Sequence, residues 1–325
     1  MTRYPFLFEP SLHVKVWGGR AMENQLHKSL PPDEPVGESW EIYSGNTISN
    51  GEFSGRTLGE LTAQFPKEIL GTDSATEGFP LLIKFLDAQD WLSVQVHPDD
   101  ALALTLEGEP RGKTECWYII DAASNATIIY GFSGETDAED FRNAIMNGTA
   151  KSKLQFVSVA AGDFVYVPAG TVHAIGPGIV LYELQQTSDT TYRLYDWDRT
   201  GLDGKPRELH IEKGLKCSHF DVNPIAVSEQ NTGKTEDGIS VTPLVRGEYF
   251  GLDKISITKQ LSQNTEATTP HLLSVISGSL EIRGEFATVP LKCGQSALVP
   301  AGIGEYMLHP TGSAIVLCAF PQSHS

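Results

Sequence analysis

One twelve-residue pattern occurs twice in the chain. Gly162-Asp-Phe-Val-Tyr-Val-Pro168-Ala-Gly170-Thr-Val-His173 and Gly294-Gln-Ser-Ala-Leu-Val-Pro300-Ala-Gly302-Ile-Gly-Glu305 share the form G-x5-P-x-G-x2, closed by His in the first copy and Glu in the second. Each copy reads as a turn glycine, a short apolar strand, and a Pro-Ala-Gly turn that stops the strand and aims the next side chains across it. A repeat of this size implies two modules of the same design. Aligning Glu115-Cys-Trp-Tyr-Ile-Ile with His271-Leu-Leu-Ser-Val-Ile leaves the first copy with surplus residues before its repeat, which predicts an insertion at about 131–153.

The rest of the chain agrees with a strand-rich architecture. Short apolar runs at 81–86, 91–96, 115–120, 127–130, 164–167, 179–184, 272–276, 297–299 and 314–319 are bounded by Gly, Pro, Asn and Asp, the pattern of antiparallel strands in a sandwich or barrel. Helical spacing is confined to 57–70, 99–106 and 137–147. At 325 residues the chain exceeds one typical domain, and the polar, aperiodic stretch 223–238 is the natural linker. The expected organisation is therefore a catalytic module at 1–222 with helical insertions, the linker, and a second, degenerate module at 239–325.

A net charge of −17 repels phosphate backbones and anionic lipid, so nucleic acid and membrane surfaces are excluded as expected partners. No apolar run approaches a membrane span, and the first residues do not read as a signal peptide. Cys116, Cys217, Cys293 and Cys318 form no CxxC and suit free thiols, which points to the cytoplasm. The composition sets no oligomeric state.

Candidate chemistry gathers on three segments. Side chains alternate along a strand, so Ser93, Gln95 and His97 share a face, as do Lys113 and Glu115, while His173 closes the first repeat. Two imidazoles, a carboxylate and an amide make an N/O donor set for a divalent metal, and the lack of a thiolate favours an open catalytic site over a closed structural one. The run Gly108-Glu-Pro-Arg-Gly112-Lys113-Thr114 imitates a phosphate-binding loop, but Glu107 stands where the first glycine belongs and no strand precedes it. His13, His27, His210, His219, His309 and His324 are expected at the surface or in loops.

The repeat resembles the second motif of the cupin superfamily, whose members are double-stranded jelly-roll barrels. The expected fold is accordingly mainly β, two cupin barrels with a few helices inserted in the N-terminal part. More narrowly, the chain resembles the type I mannose-6-phosphate isomerases in their short bacterial form. The resemblance rests on Trp17-Gly-Gly, Gly37-Glu-Ser-Trp40, Pro80-Leu-Leu-Ile-Lys84, Leu92-Ser-Val-Gln-Val-His-Pro-Asp-Asp100, Gly112-Lys-Thr-Glu-Cys-Trp-Tyr118, Val167-Pro-Ala-Gly-Thr-Val-His-Ala174 and Ser188-Asp-Thr-Thr-Tyr-Arg193. It departs from the longer members in lacking a large helical domain.

That resemblance implies one zinc ion per chain on Gln95, His97, Glu115 and His173, a catalytic arginine at Arg193, and phosphate contacts from Ser93, Lys84 and Lys113. It also implies the interconversion of mannose 6-phosphate and fructose 6-phosphate. Moving the carbonyl between C1 and C2 requires a base and a stabilised enediolate. Glu183 is the expected base, with Lys113 and a metal-bound water as rivals. Other readings are a non-catalytic metal-containing sugar-binding or regulatory cupin, and another sugar-phosphate isomerase on the same fold. The second module, with His271 and Glu305 at the aligned positions and Glu266 nearby but no S-x-Q-x-H run, is expected to hold no metal.

Overall fold

The computed structural model describes residues 4–72, 78–221, the backbone of 227–228, and 237–322. Three antiparallel sheets account for most of it. One has seven strands in the order Val227–Ser228, Phe164–Val167, Glu115–Ala122, Ile179–Gln186, Leu81–Ala88, Val36–Ile42, Ser11–Gly19. A second has five, ordered Tyr192–Tyr195, Val94–Val96, His173–Ile175, Thr127–Phe132, Leu154–Ser158. The third has eight and belongs to the C-terminal part, except that its edge is the N-terminal strand Phe6–Leu7, paired with Ala297–Leu298.

The strands Leu81–Ala88 and Ile179–Gln186 are buried at every position, as strands covered on both faces must be. Alternation divides their side chains between two cores. Cys116, Tyr118, Phe85, Tyr182 and Leu184 point outward and pack with Phe250, Leu252, Leu272, Leu298 and Leu317 of the C-terminal sheet. Trp117, Ile119, Leu86, Ile179 and Leu181 point the other way, toward Ile128, Tyr130 and Ile175 of the five-stranded sheet. The seven-stranded sheet is therefore the middle layer, with the five-stranded sheet on one side and the C-terminal module on the other.

The C-terminal sheet bends around its own core of Ile255, Leu273, Val275, Leu280, Ile282, Tyr306, Leu308 and Val316. Its long strands His271–Arg283 and Glu305–Pro321 pair with each other through register shifts near Ser277 and Leu280. This bears out a mainly β class, while each of the three strand orders keeps two edges and none closes into a ring among the described residues. The repeat is structurally genuine. Phe164–Val167 and Ser296–Val299 are strands, Gly162 and Gly294 take φ of 97° and 81°, and Glu115 pairs with Val167 as His271 pairs with Val299.

The insertion at 131–153 contains the helix Ala138–Met146 and a 3₁₀ turn at Ala150–Lys153, which cover the outer face of the five-stranded sheet. The helix expected at 57–70 is two helices, Leu58–Gln64 and Pro66–Leu70. Thr57 and Glu60 cap the first reciprocally, and Pro66, which lacks an N–H, can only begin a new helix. The strand expected from residue 91 begins at Val94. Two short helices, Ala21–Gln25 and Ile211–Cys217, carried no periodic signal; the second contains Gly214, where a Cβ would lie 2.6 Å from Leu194 Cδ2. Most of the expected linker at 223–238, together with His324, lies outside the described residues.

Candidate metal and substrate site

The two facing inner surfaces each contribute a row of polar side chains. In the five-stranded sheet, register places Arg193 opposite Gln95, Gln95 opposite His173, and His173 opposite Tyr130. In the seven-stranded sheet, Trp40, Lys84, Glu183 and Trp117 succeed one another across four strands, and Glu115 lies two residues before Trp117 on the same face.

At the junction of these rows stand His97, Glu115 and His173, all fully buried, each offering one donor atom within 4.8 Å of the others. His173 Nε2 is 3.3 Å from Glu115 Oε1, and His97 Nε2 is 3.5 Å from Glu115 Oε2. Both imidazoles donate from Nδ1 to backbone carbonyls, His97 to Thr190 at 3.0 Å and His173 to Thr171 at 2.9 Å. These bonds fix the tautomer and leave both Nε2 lone pairs directed at the carboxylate, the arrangement that metal-binding histidines require. Burial, aided at His97 by the Lys113 charge, holds both rings below the ordinary histidine pKa, so they stay neutral. Gln95 Nε2 lies 3.3 Å from His173 Nε2, and turning the amide over would bring its oxygen into the donor set. The residues present fit a divalent cation.

Charges around the cluster are matched in pairs. Lys113 Nζ is 2.6 Å from Glu115 Oε2 and 3.3 Å from His97 Nε2. Although burial opposes its charge, the Lys113 ammonium beside it holds the Glu115 carboxyl well below the usual range. Trp117 Nε1 donates to both Glu115 and Glu183, at 3.1 and 3.2 Å. Burial and the Glu115 charge push the Glu183 carboxyl upward. Lys84 faces Glu183 at 3.3 Å and stands 4.9 Å over the Trp40 ring. Against the cost of burial, Glu183 and Glu38 keep the Lys84 ammonium charged and raise its pKa, while Lys84 and Lys15 bring Glu38 down to about 2.

Arg193 differs from these cations. Its Nε donates to Ser93 Oγ at 3.3 Å and one terminal nitrogen to the Glu208 carbonyl at 3.1 Å, with no carboxylate in salt-bridge range among the described residues. Asp196, its neighbour in sequence, is instead taken by Arg199 and Arg207. A cavity of about 240 Å³ opens before these groups, and Ser93, Gln95, Lys84, Lys113, Glu183 and Arg193 all line it. The structure thus brings every expected site residue together, His97, Glu115 and His173 lying buried in contact with Gln95 and Lys113 of the cavity wall.

Sequence reasoning passed over Glu38, Asp189, Arg207 and His210, which also line the cavity. Glu38 lies within Gly37-Glu-Ser-Trp40, so its motif was visible although its charge pairing was not. His210 is a loop residue as expected, but it faces the site and accepts the Arg193 amide hydrogen at Nδ1, 3.3 Å away. His13 is half-buried on a strand, its ring 4.5 Å from that of Trp40. At the aligned positions of the second module, His271 Nδ1 bonds Tyr306 Oη at 2.7 Å, while Glu305 and Glu266 are exposed.

Comparison with known proteins agrees with this geometry. Residues 6–126 match the phosphomannose isomerase type I catalytic domain, and residues 240–319 match the mannose-6-phosphate isomerase cupin domain. A mannose-6-phosphate isomerase of Streptococcus mutans is 40% identical over 91% of this chain and 92% of its own. One from Bacillus subtilis is 39% identical over 97% of this chain and 99% of its own. The crystal structure of a Bacillus subtilis mannose 6-phosphate isomerase superposes with a TM-score of 0.89 at 34% identity, covering 98% of this chain and 99% of that one. With relatives this similar over nearly its whole length, the chain belongs to the type I phosphomannose isomerase family.

Proposed function

We propose that this chain interconverts mannose 6-phosphate and fructose 6-phosphate by proton transfer through an enediolate, in the cavity between the two N-terminal sheets. The observation that carries the reading is the pair of tautomer-locked imidazoles aimed at Glu115, beside an arginine that no carboxylate neutralises among the described residues. His97, Glu115, His173 and Gln95 would hold one zinc ion per chain, which when bound supplies positive charge where the sugar oxygens become negative.

The protein's own groups account for the remaining work. Glu183, with its raised pKa, takes the proton from one of the two reacting carbons and returns it to the other. Lys113 sits on the other side of Glu115 and orients it. Arg193 meets anionic charge present only with substrate, and Ser93, Lys84 and Lys113 offer donors to the phosphate. These cations act at short range and so override a net charge of −17.

The reading extends to the whole chain. Residues 1–222 and 239–325 are read as two jelly-roll modules joined at 223–238, each with a core of its own, with 6–7 lent to the second module's sheet and 227–228 to the first's. The cytoplasm is the proposed compartment, supported by four free cysteines. A coupled assay that follows fructose 6-phosphate formed from mannose 6-phosphate, with glucose 6-phosphate as comparator, tests the proposal. Absence of turnover by zinc-loaded protein would refute it.

A further inference from the structure

Three consecutive amides leading into Glu115 are pinned by groups outside their own segment. Gly112 N–H donates to Asp100 Oδ1 at 2.7 Å, Lys113 N–H to the Pro98 carbonyl at 2.9 Å, and Thr114 N–H to Gln186 Oε1 at 2.8 Å. Gln186 Nε2 then donates to the same oxygen of Asp100, at 3.0 Å. Asp100 and Gln186 therefore join the amides on either side of Lys113 into one closed circuit. The fit is tight, because a Cβ on Gly112 would stand 2.4 Å from the Asp99 and Pro98 backbone. Lys113 is thus held by its backbone in the place from which Nζ reaches Glu115 and His97.

The circuit has a contact outside the N-terminal module. Tyr249, in the turn between the strands Ile239–Arg246 and Phe250–Ile257, lines the same cavity as Asp100, and burial together with the Asp100 carboxylate pushes its phenol up to about 12. Its own carbonyl is held by the Gln322 amide at 3.0 Å. Asp100, Gln186 and Tyr249 line one cavity of about 320 Å³, which leaves room for the carboxylate to turn once a donor is removed.

We propose that Asp100, Gln186 and Tyr249 are positioning residues for Lys113, and that through Tyr249 the C-terminal module helps to set the geometry of the active site. The proposal rests on the reading of Lys113 as an active-site residue. It gives the second module a part in turnover besides its packing against the first.

A double-mutant cycle in the full-length zinc-loaded chain tests it, using Tyr249→Phe, Asp100→Ala and the pair. Hydrogen exchange at residues 112–114 should accelerate by roughly tenfold or more in Asp100→Ala and by a smaller factor in Tyr249→Phe. The kcat should fall about tenfold and about threefold respectively, with KM within about twofold of the unmodified chain. The pair should match Asp100→Ala alone, because Tyr249 acts through Asp100. Asp100→Asn, which keeps an acceptor oxygen, should recover most of the loss. Unchanged exchange at 112–114 in Tyr249→Phe, or additive losses of kcat, would overturn the role of the second module. Exchange reports on the circuit without turnover, so a failure to isomerise mannose 6-phosphate would count against the functional reading and leave this measurement able to decide the circuit.

Discussion

Lys84 and Glu183 face each other across neighbouring strands of the middle sheet, their charged ends 3.3 Å apart and each side chain only about 5% exposed. A buried pair of this kind is strongly destabilising to break, since the survivor is left as an uncompensated charge. Lys84→Met should lower stability by about 3–5 kcal/mol. Lys84→Met with Glu183→Gln should recover much of that, as read by denaturant unfolding of the three proteins. Glu183→Gln alone should lower kcat by about 10²–10⁴-fold with little change in KM.

The same residue sets the acid limb of the rate profile. Burial and the charge of Glu115 raise the Glu183 pKa above the ordinary carboxyl value of 4.5. A base works only when ionised, so kcat should fall as the pH drops through that raised value. A pH–rate series should show the limb above the usual carboxylate range. An acid limb that persists unchanged in Glu183→Gln would remove Glu183 as the base.

Removal of metal should abolish turnover, and added zinc should restore it. Elemental analysis should give close to one ion per chain. His97→Ala should lose the ion, whereas His271→Ala should keep it, because His271 is bonded to Tyr306 while Glu305 and Glu266 are exposed. Two tightly held ions, one of them lost in His271→Ala, would show a second site.

Arg193→Ala should reduce kcat/KM by roughly 10²–10³-fold with little loss of melting temperature. Its protein partners are a hydroxyl and a carbonyl, so its removal strands no buried carboxylate. A large fall in melting temperature with normal turnover per folded molecule would make it a structural arginine.

His271 gives stability a pH dependence of its own. Burial lowers its folded-state pKa from 6.5 to about 4. Between those values the unfolded chain binds a proton that the folded chain does not, so stability from this group is present above pH 6.5 and declines as the pH falls toward 4. The loss across that window approaches ~3 kcal/mol. Thermal melts from pH 7 to pH 4.5 should show the decline, and His271→Gln should make it shallower while the shares of buried His97 and His173 remain.

The site was readable where chemistry follows strand alternation. Ser93, Gln95 and His97 alternate with apolar Val94 and Val96, so spacing put them on one face, and the repeat with the family resemblance added His173 to them. Glu38, Asp189 and Arg207 were not readable in that way. Their roles arise from register between strands distant in sequence and from loops with no periodicity, which a single sequence does not encode locally. The helix boundary at Phe65 was legible in Pro66 but was overridden by the apolar spacing on either side. Asp100 shows the same limit in a sharper form, since its partners come from residues 112, 186 and 249.

The strand Phe6–Leu7, paired with Ala297–Leu298, has a consequence for biosynthesis. The strand at 6–7 cannot find its partner until about 290 further residues have followed it. At typical translation rates of about 5–20 residues per second the wait is about 15–60 s. Throughout that interval Phe6, fully buried in the finished protein, has no sheet edge to cover it. The nascent chain therefore carries an exposed apolar strand beside an N-terminal sandwich whose middle sheet still lacks the C-terminal module on its outer face. Chaperone engagement should concentrate on this interval, and the strands of the C-terminal module should bury Phe6–Leu7 and the outer face of the middle sheet together.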